Sequence, residues 1–539
     1  MKKRLLSLIL ALCIIISFSP STLAANLPEV DVRTEGLTPA QPQEAPAEKP
    51  RDAGAERRTI YVSNEGTEED DGATAETPTT LARATELANE GKKPVEIVVL
   101  GQVSVDTWTS PTVETTLRGG DENAELLFEY CSASDGAYNI SLADALTIDD
   151  IKFNCNYTDY FFSRYYGTYT IVANGYPLVI ASGVQCSYYT ADTIVDGKTC
   201  STSSCYVIGG GLDEDITGGT HVEIYTSLPL TYVYGGGVNG SVESNVYLHI
   251  ENCGKIQHVR AGGYANKKDA KVNGNITLDF INSVTDNPIY GGGYARSSYS
   301  AEVTGSICIN LSGLNNGFGR PIYGGGYGKN APVVGNIRFN ISNTKMNNNA
   351  AAIYGGGYNS DVTGDIFIHI KENSLISEET VWGGGTGDST ITGGVTITVD
   401  DSSEVIGEIR AGGNEGADVI GDVVITVSGG PQSACPTIFA TGKGEDKDNP
   451  AQVDGNVSIT LHGSRANVYT LDKFGEVTSD HAVTIILDDT DELSGAVRGD
   501  SKLGQHLYNY EKNTPTRTGN GASVIVKGDY TSTGIHGFP

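Results

Sequence analysis

The segment Ile289-Tyr290-Gly291-Gly292-Gly293-Tyr294 returns, with small changes, at nearly fixed spacing through the second half of the chain. Close copies begin at Val233, Ile322, Ile353 and Val381, and weaker copies begin at Ile208, Val259, Ile409 and Ile438. The residue after the hydrophobic pair falls at 209, 235, 261, 291, 324, 355, 383, 411 and 440, a period of about 26 to 33 residues. A period in this range indicates a solenoid, in which each unit buries its apolar face against its neighbours.

A second part of each repeat strictly alternates apolar and polar residues. Two examples are Gly335-Asn336-Ile337-Arg338-Phe339-Asn340-Ile341 and Gly364-Asp365-Ile366-Phe367-Ile368-His369-Ile370. Alternation with a period of two indicates a strand with one buried face, and the spacing of three and four that marks helical repeats is absent. Stacked strands joined by glycine-rich corners make a parallel β-helix, so the sequence predicts an all-β solenoid.

The start of the chain is expected to lie outside the solenoid, with a secretory signal peptide over residues 1–25. Basic residues at 2–4 precede an apolar run over residues 5–18, and Thr22-Leu23-Ala24-Ala25 supplies a small-residue cleavage site. Residues 26–58 are rich in Pro, Glu and Ala, and such a segment buries too little apolar surface to order itself, so a disordered linker is predicted. The protein is therefore expected to be extracellular, either secreted or loosely associated with the cell surface.

The charge balance limits the classes of partner. The chain carries 36 basic and 66 acidic residues, and without the three basic residues of the signal peptide the balance is 33 against 66, a formal net charge of −33. A surface this acidic disfavours nucleic acid and anionic membranes as partners, and no membrane insertion is expected. It also disfavours polysaccharides of uronic acids unless calcium bridges the two. The same charge keeps a long solenoid soluble, and a monomer is expected.

The beginning of the solenoid carries a family resemblance. Tyr61-Val62-Ser63, followed by Gly66, Asp71-Gly72, Pro78, Leu81 and Ala84, resembles the entry segment of secreted right-handed parallel β-helix proteins of the pectate-lyase-like superfold. In those proteins a short strand and a glycine–aspartate turn lead to a helix that caps the first coil. The resemblance implies a right-handed β-helix with coils of about 26–33 residues and a short N-terminal capping helix. The apolar stripe of that helix would be Leu81, Ala84, Leu87 and Ala88.

The resemblance covers roughly residues 58–500. It implies an N-terminal part of the β-helix over 59–205, regular Tyr-Gly-Gly-Gly coils over 206–500 and a C-terminal cap or tail over 501–539. Because this superfold hosts lyases, hydrolases, adhesins and inert stalks, the fold alone does not decide the activity. The chain resembles surface or adhesin-type members more than any particular enzyme family.

The motifs of the glycosidases in this superfold are incomplete in this chain. Those enzymes carry clustered aspartates with a Gly-His-Gly segment, and this chain has Asp149-Asp150 but no Gly-His-Gly. Neighbouring residues on a strand point to opposite faces, so these two aspartates do not make the facing pair that glycoside hydrolysis needs. Arg260 and Arg410 hold matching places in repeats several coils apart, without an evident acidic cluster. No catalytic residue is assigned, and a polysaccharide lyase or glycoside hydrolase is the alternative function.

Acidic residues fall at several expected turns, as in Asp213-Glu214-Asp215, Asp400-Asp401 and Asp488-Asp489. Turn carboxylates offer the oxygen ligands that calcium prefers. Solvated carboxylates explain the same pattern, so no metal ligand is assigned, and calcium is the only cofactor that the sequence leaves open.

Aromatic residues occupy two fixed positions around the glycines of the repeat. One position holds Tyr290, Tyr323, Tyr354 and Trp382, and the second holds Tyr294, Tyr327 and Tyr358. Because coils stack about 4.8 Å apart, each position is expected to form a vertical aromatic ladder. A ladder that faces solvent offers a platform for sugar rings, whereas a ladder inside the fold only fixes the register of the coils. The sequence therefore predicts a non-catalytic binding or adhesion module for glycans or host surface molecules, with these seven residues as its ligand-binding candidates.

Overall fold

The structure, a computed structural model, describes most of the chain from residue 57 onwards. The described residues are 57–128, 137–155, 159–161, 164–166, 168–186, 194–195, 198–200, 204–254, 256–296, 298–315, 318–346, 351–377, 380–429, 436–446, 448–464, 466–470, 472, 474–478, 481–488, 497–498, 522–527 and 535–536. The chain divides into two units, Met1–Arg51 and Asp52–Pro539, and every described residue belongs to the second. The predicted signal peptide and nearly all of the predicted linker lie outside the described residues.

One helix, Leu81–Gly91, packs beside the first strand, as the capping helix was predicted to do. It begins after Thr80, whose hydroxyl accepts a hydrogen bond from the Arg83 backbone N–H over 3.1 Å, an N-cap contact. Ala84, Leu87 and Ala88 are buried against the solenoid core, and Leu81 packs at its edge. The predicted apolar stripe is therefore confirmed.

Sixteen parallel strands in chain order form the longest sheet, named sheet 1. They are Arg58–Thr67, Val95–Val99, Thr115–Gly119, Leu146–Asp149, Leu178–Ile180, Thr220–Ile224, Val246–Glu251, Ile276–Ile281, Ile307–Ser312, Ile337–Ser342, Ile366–Lys371, Val395–Val399, Val423–Ser428, Val457–His462, Val483–Asp488 and Ala522–Lys527. These are the alternating segments of the repeat, and equivalent residues pair across coils, so that Ile307 lies between Ile276 and Ile337.

Fifteen parallel strands form a second long sheet, named sheet 2. They are Trp108–Thr109, Ile140–Ser141, Thr168–Val172, Ser204–Ile208, Leu230–Tyr234, Ile256–Arg260, Ile289–Tyr290, Ile322–Tyr323, Ile353–Tyr354, Thr380–Trp382, Glu408–Arg410, Thr437–Phe439, Asn467–Tyr469, Val497–Arg498 and Ile535–His536. From Val95 onwards the strands of sheets 1 and 2 alternate along the chain, so each coil gives one strand to each sheet. The architecture is the predicted right-handed parallel β-helix.

Shorter strands complete the coils in five smaller sheets. A six-stranded sheet, sheet 3, contains Val333–Val334, Val362–Thr363, Thr390–Thr392, Asp418–Ile420, Ala451–Asp454 and Gly475–Val477. The other four contain Gln102–Val105, Glu125–Phe128, Lys152–Cys155 and Gln185–Cys186; Asp159–Phe161, Arg164–Tyr166, Ile194–Val195 and Lys198–Cys200; Lys345–Met346, Leu375–Ile376 and Glu404–Val405; and Tyr264–Ala265 and Tyr294–Ala295. The second of these four includes antiparallel pairs, whereas pairing in the others is parallel.

The coil lengths match the predicted range. Register partners in sheet 2 are 26 residues apart between Tyr234 and Arg260, and 33 residues apart between Tyr290 and Tyr323. One continuous core of buried aliphatic and aromatic side chains fills the interior from Ile60 to Ile485. The predicted boundaries at 205 and 500 stay predictions; both long sheets continue past residue 500 through Ala522–Lys527 and Ile535–His536.

The three glycines of the repeat lie where successive coils approach each other most closely. A Cβ atom on Gly291 would lie 2.5 Å from the carbonyl oxygen of Gly324, and one on Gly292 would lie 2.8 Å from the backbone nitrogen of Gly326. Both distances are shorter than a side-chain carbon tolerates, and the atoms in the way are backbone. The glycine triplet is therefore required by the backbone packing of this corner.

Candidate functional site

The aromatic residues of the repeat lie on the outer face of sheet 2. In each short strand the isoleucine or valine enters the core, and the next residue points to the opposite face, as alternation along a strand requires. Register places these outward residues in one line, named the first column. In order, the first column is Tyr234, Arg260, Tyr290, Tyr323, Tyr354, Trp382, Arg410, Phe439 and Tyr469. The predicted ladder is confirmed, and it is separate from the solenoid core.

The rings of the first column stack face to face. Ring centroids are 5.1 Å apart between Tyr290 and Tyr323, 4.8 Å apart between Tyr323 and Tyr354, and 5.8 Å apart between Tyr354 and Trp382. The ring planes of these three pairs differ by 6 to 10°. Each of the four side chains is only 5–8% exposed. Because neighbouring rings cover one another, this column offers ring edges rather than ring faces to a ligand.

A second column of tyrosines runs beside the first and is more open. Tyr294 and Tyr327 stack with centroids 4.2 Å apart, and Tyr327 and Tyr358 stack with centroids 5.1 Å apart. Tyr294 is buried, whereas Tyr264, Tyr327 and Tyr358 are half-buried. The half-buried rings are the part of the aromatic cluster that a ligand can reach.

The two columns form one contiguous cluster. Tyr290 and Tyr327 meet edge to face, with centroids 5.5 Å apart and planes at 78°, and Tyr323 and Tyr358 meet in the same way at 5.9 Å and 90°. The structure thus brings all seven predicted residues together over four coils. Burial raises the pKa of Tyr290 and of Tyr323, so their hydroxyls stay protonated in neutral solution. That a ligand binds this cluster stays a prediction.

Two arginines interrupt the first column, at the matching places expected from the repeat. Arg410 lies between Trp382 and Phe439, with its guanidinium carbon 5.0 and 4.0 Å from the two ring centroids. Its guanidinium also pairs with Glu408, at 2.8 Å, and with Asp472. The expectation that no acidic group lies near these arginines is therefore wrong for Arg410, because Asp472 comes from a strand-to-strand connection two coils later in the chain.

The outer face of sheet 1 carries a polar network that sequence reasoning did not identify as a site. Glu223, His249 and Asp279 stack in register on three neighbouring strands. The Tyr225 hydroxyl donates to Glu223 Oε2 over 2.9 Å, and the Tyr247 hydroxyl donates to Asp279 Oδ2 over 2.9 Å. These residues are about 30 positions apart in the sequence, so only a column-by-column alignment of the repeats would have shown that they meet.

Further hydrogen bonds tie the network together. His221 Nε2 lies 2.6 Å from Glu223 Oε1, and His249 Nε2 lies 3.2 Å from Glu251 Oε2. The Asn310 amide donates to Asp279 Oδ1 over 2.6 Å. A polar network whose carboxylates are this well satisfied makes a rigid surface.

The carboxyl groups of the network are held in their ionised form. The hydrogen bond with His221 lowers the pKa of Glu223. Burial acts to raise the pKa of Asp279, but hydrogen bonds from His249, Asn310 and Tyr247 outweigh it and lower that pKa. Neither group is therefore a neutral acid at neutral pH, which is what the protonation of a glycosidic oxygen requires.

The aspartate pair considered from the sequence does not form a catalytic pair. Asp149 ends the strand Leu146–Asp149 and points outward, and Asp150 follows in a left-handed turn with φ of 45°. Asp149 Oδ1 accepts a hydrogen bond from the Asp150 backbone N–H over 2.9 Å, so its carboxylate caps the turn.

The acidic residues at the turns mostly accept hydrogen bonds from the next coil. The Ser241 backbone N–H donates to Asp215 Oδ1 over 2.7 Å, and the Glu372 backbone N–H donates to Asp400 Oδ2 over 3.1 Å. Asp489 lies outside the described residues. Among the residues that the structure describes, no group of three or more His, Cys, Asp or Glu side chains is placed to hold a metal ion.

Within the described part of the chain, no helix is long and apolar enough to cross a membrane. Comparisons of the chain with protein-family models, with curated proteins and with solved structures gave no match. The likeness to the pectate-lyase-like superfold therefore stays a resemblance in sequence pattern, and the function is argued from the site.

Proposed function

We propose that the protein is a secreted or loosely surface-associated β-helix protein that binds glycans or host surface molecules without catalysis. The ligand lies on the outer face of sheet 2, along the half-buried tyrosines Tyr327 and Tyr358. The observation that carries this proposal is the aromatic cluster itself, since it packs outside a core that is already continuous without it. Aromatic rings with polar tips are the side chains that most often supply contact area and hydrogen bonds to such ligands.

The geometry favours a particular mode of contact. Ring faces in the first column are covered by their neighbours, so sugar stacking is restricted to the second column. The stacked rings of the first column hold Tyr327 and Tyr358 in position through the edge-to-face contacts described above. A rigid row of rings loses little conformational entropy when a ligand binds.

The test is binding of a glycan panel by the wild type and by the double variant Tyr327→Ala with Tyr358→Ala. The expected result is a loss of binding of about tenfold or more, because about 1–3 kcal/mol per buried aromatic contact is removed. Val424→Ala is the matched control, since Val424 is exposed on the outer face of sheet 1, away from the tyrosine columns. Unchanged binding in the double variant would overturn the proposal.

The second candidate function is a polysaccharide lyase or glycoside hydrolase, and the polar network on sheet 1 is the observation that favours it. Carboxylate, imidazole and phenol groups converge there on one solvent-facing surface. The lowered pKa values of Glu223 and Asp279 speak against hydrolysis, because the network then lacks a protonated carboxyl group. If the protein cleaves a polysaccharide at this network, Asp279→Asn should abolish product release while leaving glycan binding on sheet 2 unchanged.

A further inference from the structure

Arg260 is a buried cation enclosed by tyrosines. Its side chain is 5% exposed, and its guanidinium carbon lies 3.5 Å from the ring centroid of Tyr294 and 5.0 Å from that of Tyr264. The rings of Tyr232 and Tyr234 are next, at 5.2 and 5.4 Å. Arg260 therefore sits at the end of the aromatic cluster, where the two columns begin.

The charge of Arg260 has no counterion in the part of the chain that the structure describes. One terminal nitrogen donates to the Tyr234 hydroxyl over 3.2 Å, and the Nε atom is buried without a hydrogen-bond partner. Arg410 holds the equivalent place in the same column and is buried to the same extent, yet it has two carboxylates, from Glu408 and Asp472. The repeat supplies a counterion at one arginine and none at the other.

The surroundings of Arg260 are positive in a chain whose formal net charge is −30. His258 stacks on Tyr232, with centroids 4.4 Å apart, and lies on the same strand as Arg260. Arg296 is exposed beside Tyr294, with its guanidinium carbon 5.7 Å from that ring centroid. Burial lowers the pKa of His258 to about 4, with Arg260 and Arg296 acting in the same direction. This group of Arg260, Arg296 and His258 is named the basic patch.

A buried charge without a partner is costly, and an anion of good geometry reduces that cost. Arginine is also the side chain best suited to carboxylate and sulfate, since its fork of N–H donors matches two oxygens at once. Cation–π contacts hold the guanidinium in place here but contribute no countercharge.

We infer that the ligand of the aromatic cluster is an acidic carbohydrate, and that its carboxylate or sulfate group binds at the basic patch beside the tyrosine columns. Arg296, exposed, meets the anion first, and Arg260 supplies the buried charge and fixes its position. This inference rests on the proposed glycan-binding function and adds the chemical class of the glycan. It also revises the expectation from net charge, because the local charge at the site is opposite to that of the whole chain.

The experiment compares matched acidic and neutral glycans in binding titrations with the purified protein. One arm uses an oligogalacturonide and its fully methyl-esterified form, and the other uses sulfated and chemically desulfated chondroitin, which separates a carboxylate ligand from a sulfate ligand. The wild type is expected to bind at least one acidic form about 10- to 100-fold more tightly than its neutral counterpart, the range of a charged hydrogen bond. Raising the salt concentration should reduce only this difference.

Variants of Arg260 assign the effect to the patch. Arg260→Gln should remove the preference for the acidic form and leave affinity for the neutral form unchanged, whereas Arg260→Lys should retain part of the preference. Arg338→Gln is the control, because Arg338 lies over Phe367 on sheet 1 in a similar cation–π contact. Thermal unfolding of each variant without ligand shows that it is folded.

The outcomes separate the two proposals. Equal binding of acidic and neutral glycans, or an unchanged preference in Arg260→Gln, would overturn the inference and leave the glycan-binding function standing. No binding of any glycan by the wild type would overturn both. Loss of binding to acidic and neutral forms alike in a folded Arg260→Gln variant would show that Arg260 only supports the tyrosines, and this too would overturn the inference.

Discussion

Replacing Arg410 with methionine is expected to destabilise its coils far more than the same change at Arg260. The two side chains are 4% and 5% exposed, so the loss of packing is comparable. At Arg410 the change leaves Glu408 and Asp472 without their cation, and breaking such a buried pair costs about 3–5 kcal/mol. At Arg260 no carboxylate is left behind, and the lost cation–π attraction of about 0.5–2 kcal/mol is offset by the removal of a buried charge. The expected net change at Arg260 is within about 1 kcal/mol.

Hydrogen exchange measured by mass spectrometry suits this prediction, because a solenoid opens locally and a single unfolding midpoint averages over its coils. In Arg410→Met, peptides that cover Glu408–Arg410 and Thr437–Phe439 should exchange roughly 100-fold faster or more, as a loss of about 3 kcal/mol requires. In Arg260→Met, peptides that cover Ile256–Arg260 should change by less than about tenfold.

A second substitution checks the cause. Adding Asp472→Asn to Arg410→Met should recover part of the lost protection, because the Asp472 side chain is 9% exposed and its unpaired charge is what the first change leaves buried. Equal acceleration in Arg260→Met and Arg410→Met would refute the reasoning, since it would mean that Arg260 has a partner of the same strength as the carboxylates of Arg410.

Three further predictions follow from the coil packing and the polar network. Gly292→Ala should lower the thermal unfolding temperature, because its Cβ would lie 2.8 Å from the Gly326 backbone nitrogen at a cost of about 1–3 kcal/mol, whereas Gly218→Ala, with open space around it, should not. Tyr323→Phe should unfold close to the wild-type temperature, but Tyr323→Ala should unfold at a lower temperature, because about 2–4 kcal/mol of stacked ring contact is lost; equal stability of the two would show that the ladder does not support the coils. Raising the pH above about 6.5 should weaken sheet 1 near His249: burial acts to lower its pKa, but Asp279 and Glu251 raise it, so the folded state binds the proton more tightly than the unfolded chain. Hydrogen exchange of Val246–Glu251 measures this, and His249→Gln should flatten the response, with Tyr225 and Tyr247 the other groups in contact.

The repeat made the fold readable from the sequence. A fixed period, strict alternation and a glycine triplet leave few architectures other than a β-helix, and each coil repeats the evidence of the one before it. The capping helix was also predictable, since Leu81, Ala84 and Leu87 have helical spacing. The ladder of Tyr290, Tyr323 and Tyr354 followed from register alone, because equivalent positions stack directly in a parallel coil.

The exposure of the tyrosines did not follow from the sequence. Whether a stacked ring shows its face or its edge depends on its side-chain torsion and on the distance to the next ring, and neither has a signal in the repeat. The partners of Arg410 were hidden for a similar reason, because Asp472 enters from a connection outside the repeat unit. The network of Glu223, His249 and Asp279 was present in the outward positions of the strands, but it became visible only when three coils were aligned.

The central claim is that the protein binds glycans and does not cleave them. The most direct test incubates the purified protein with a panel of polysaccharides and mucin glycans, with and without calcium, and analyses released products and protein-bound material by mass spectrometry. The account predicts no new oligosaccharides and a bound glycan fraction that is lost in the variant with Tyr327→Ala and Tyr358→Ala. Release of new oligosaccharides by the wild type would contradict it, and an unsaturated end on those products would identify a lyase rather than a hydrolase.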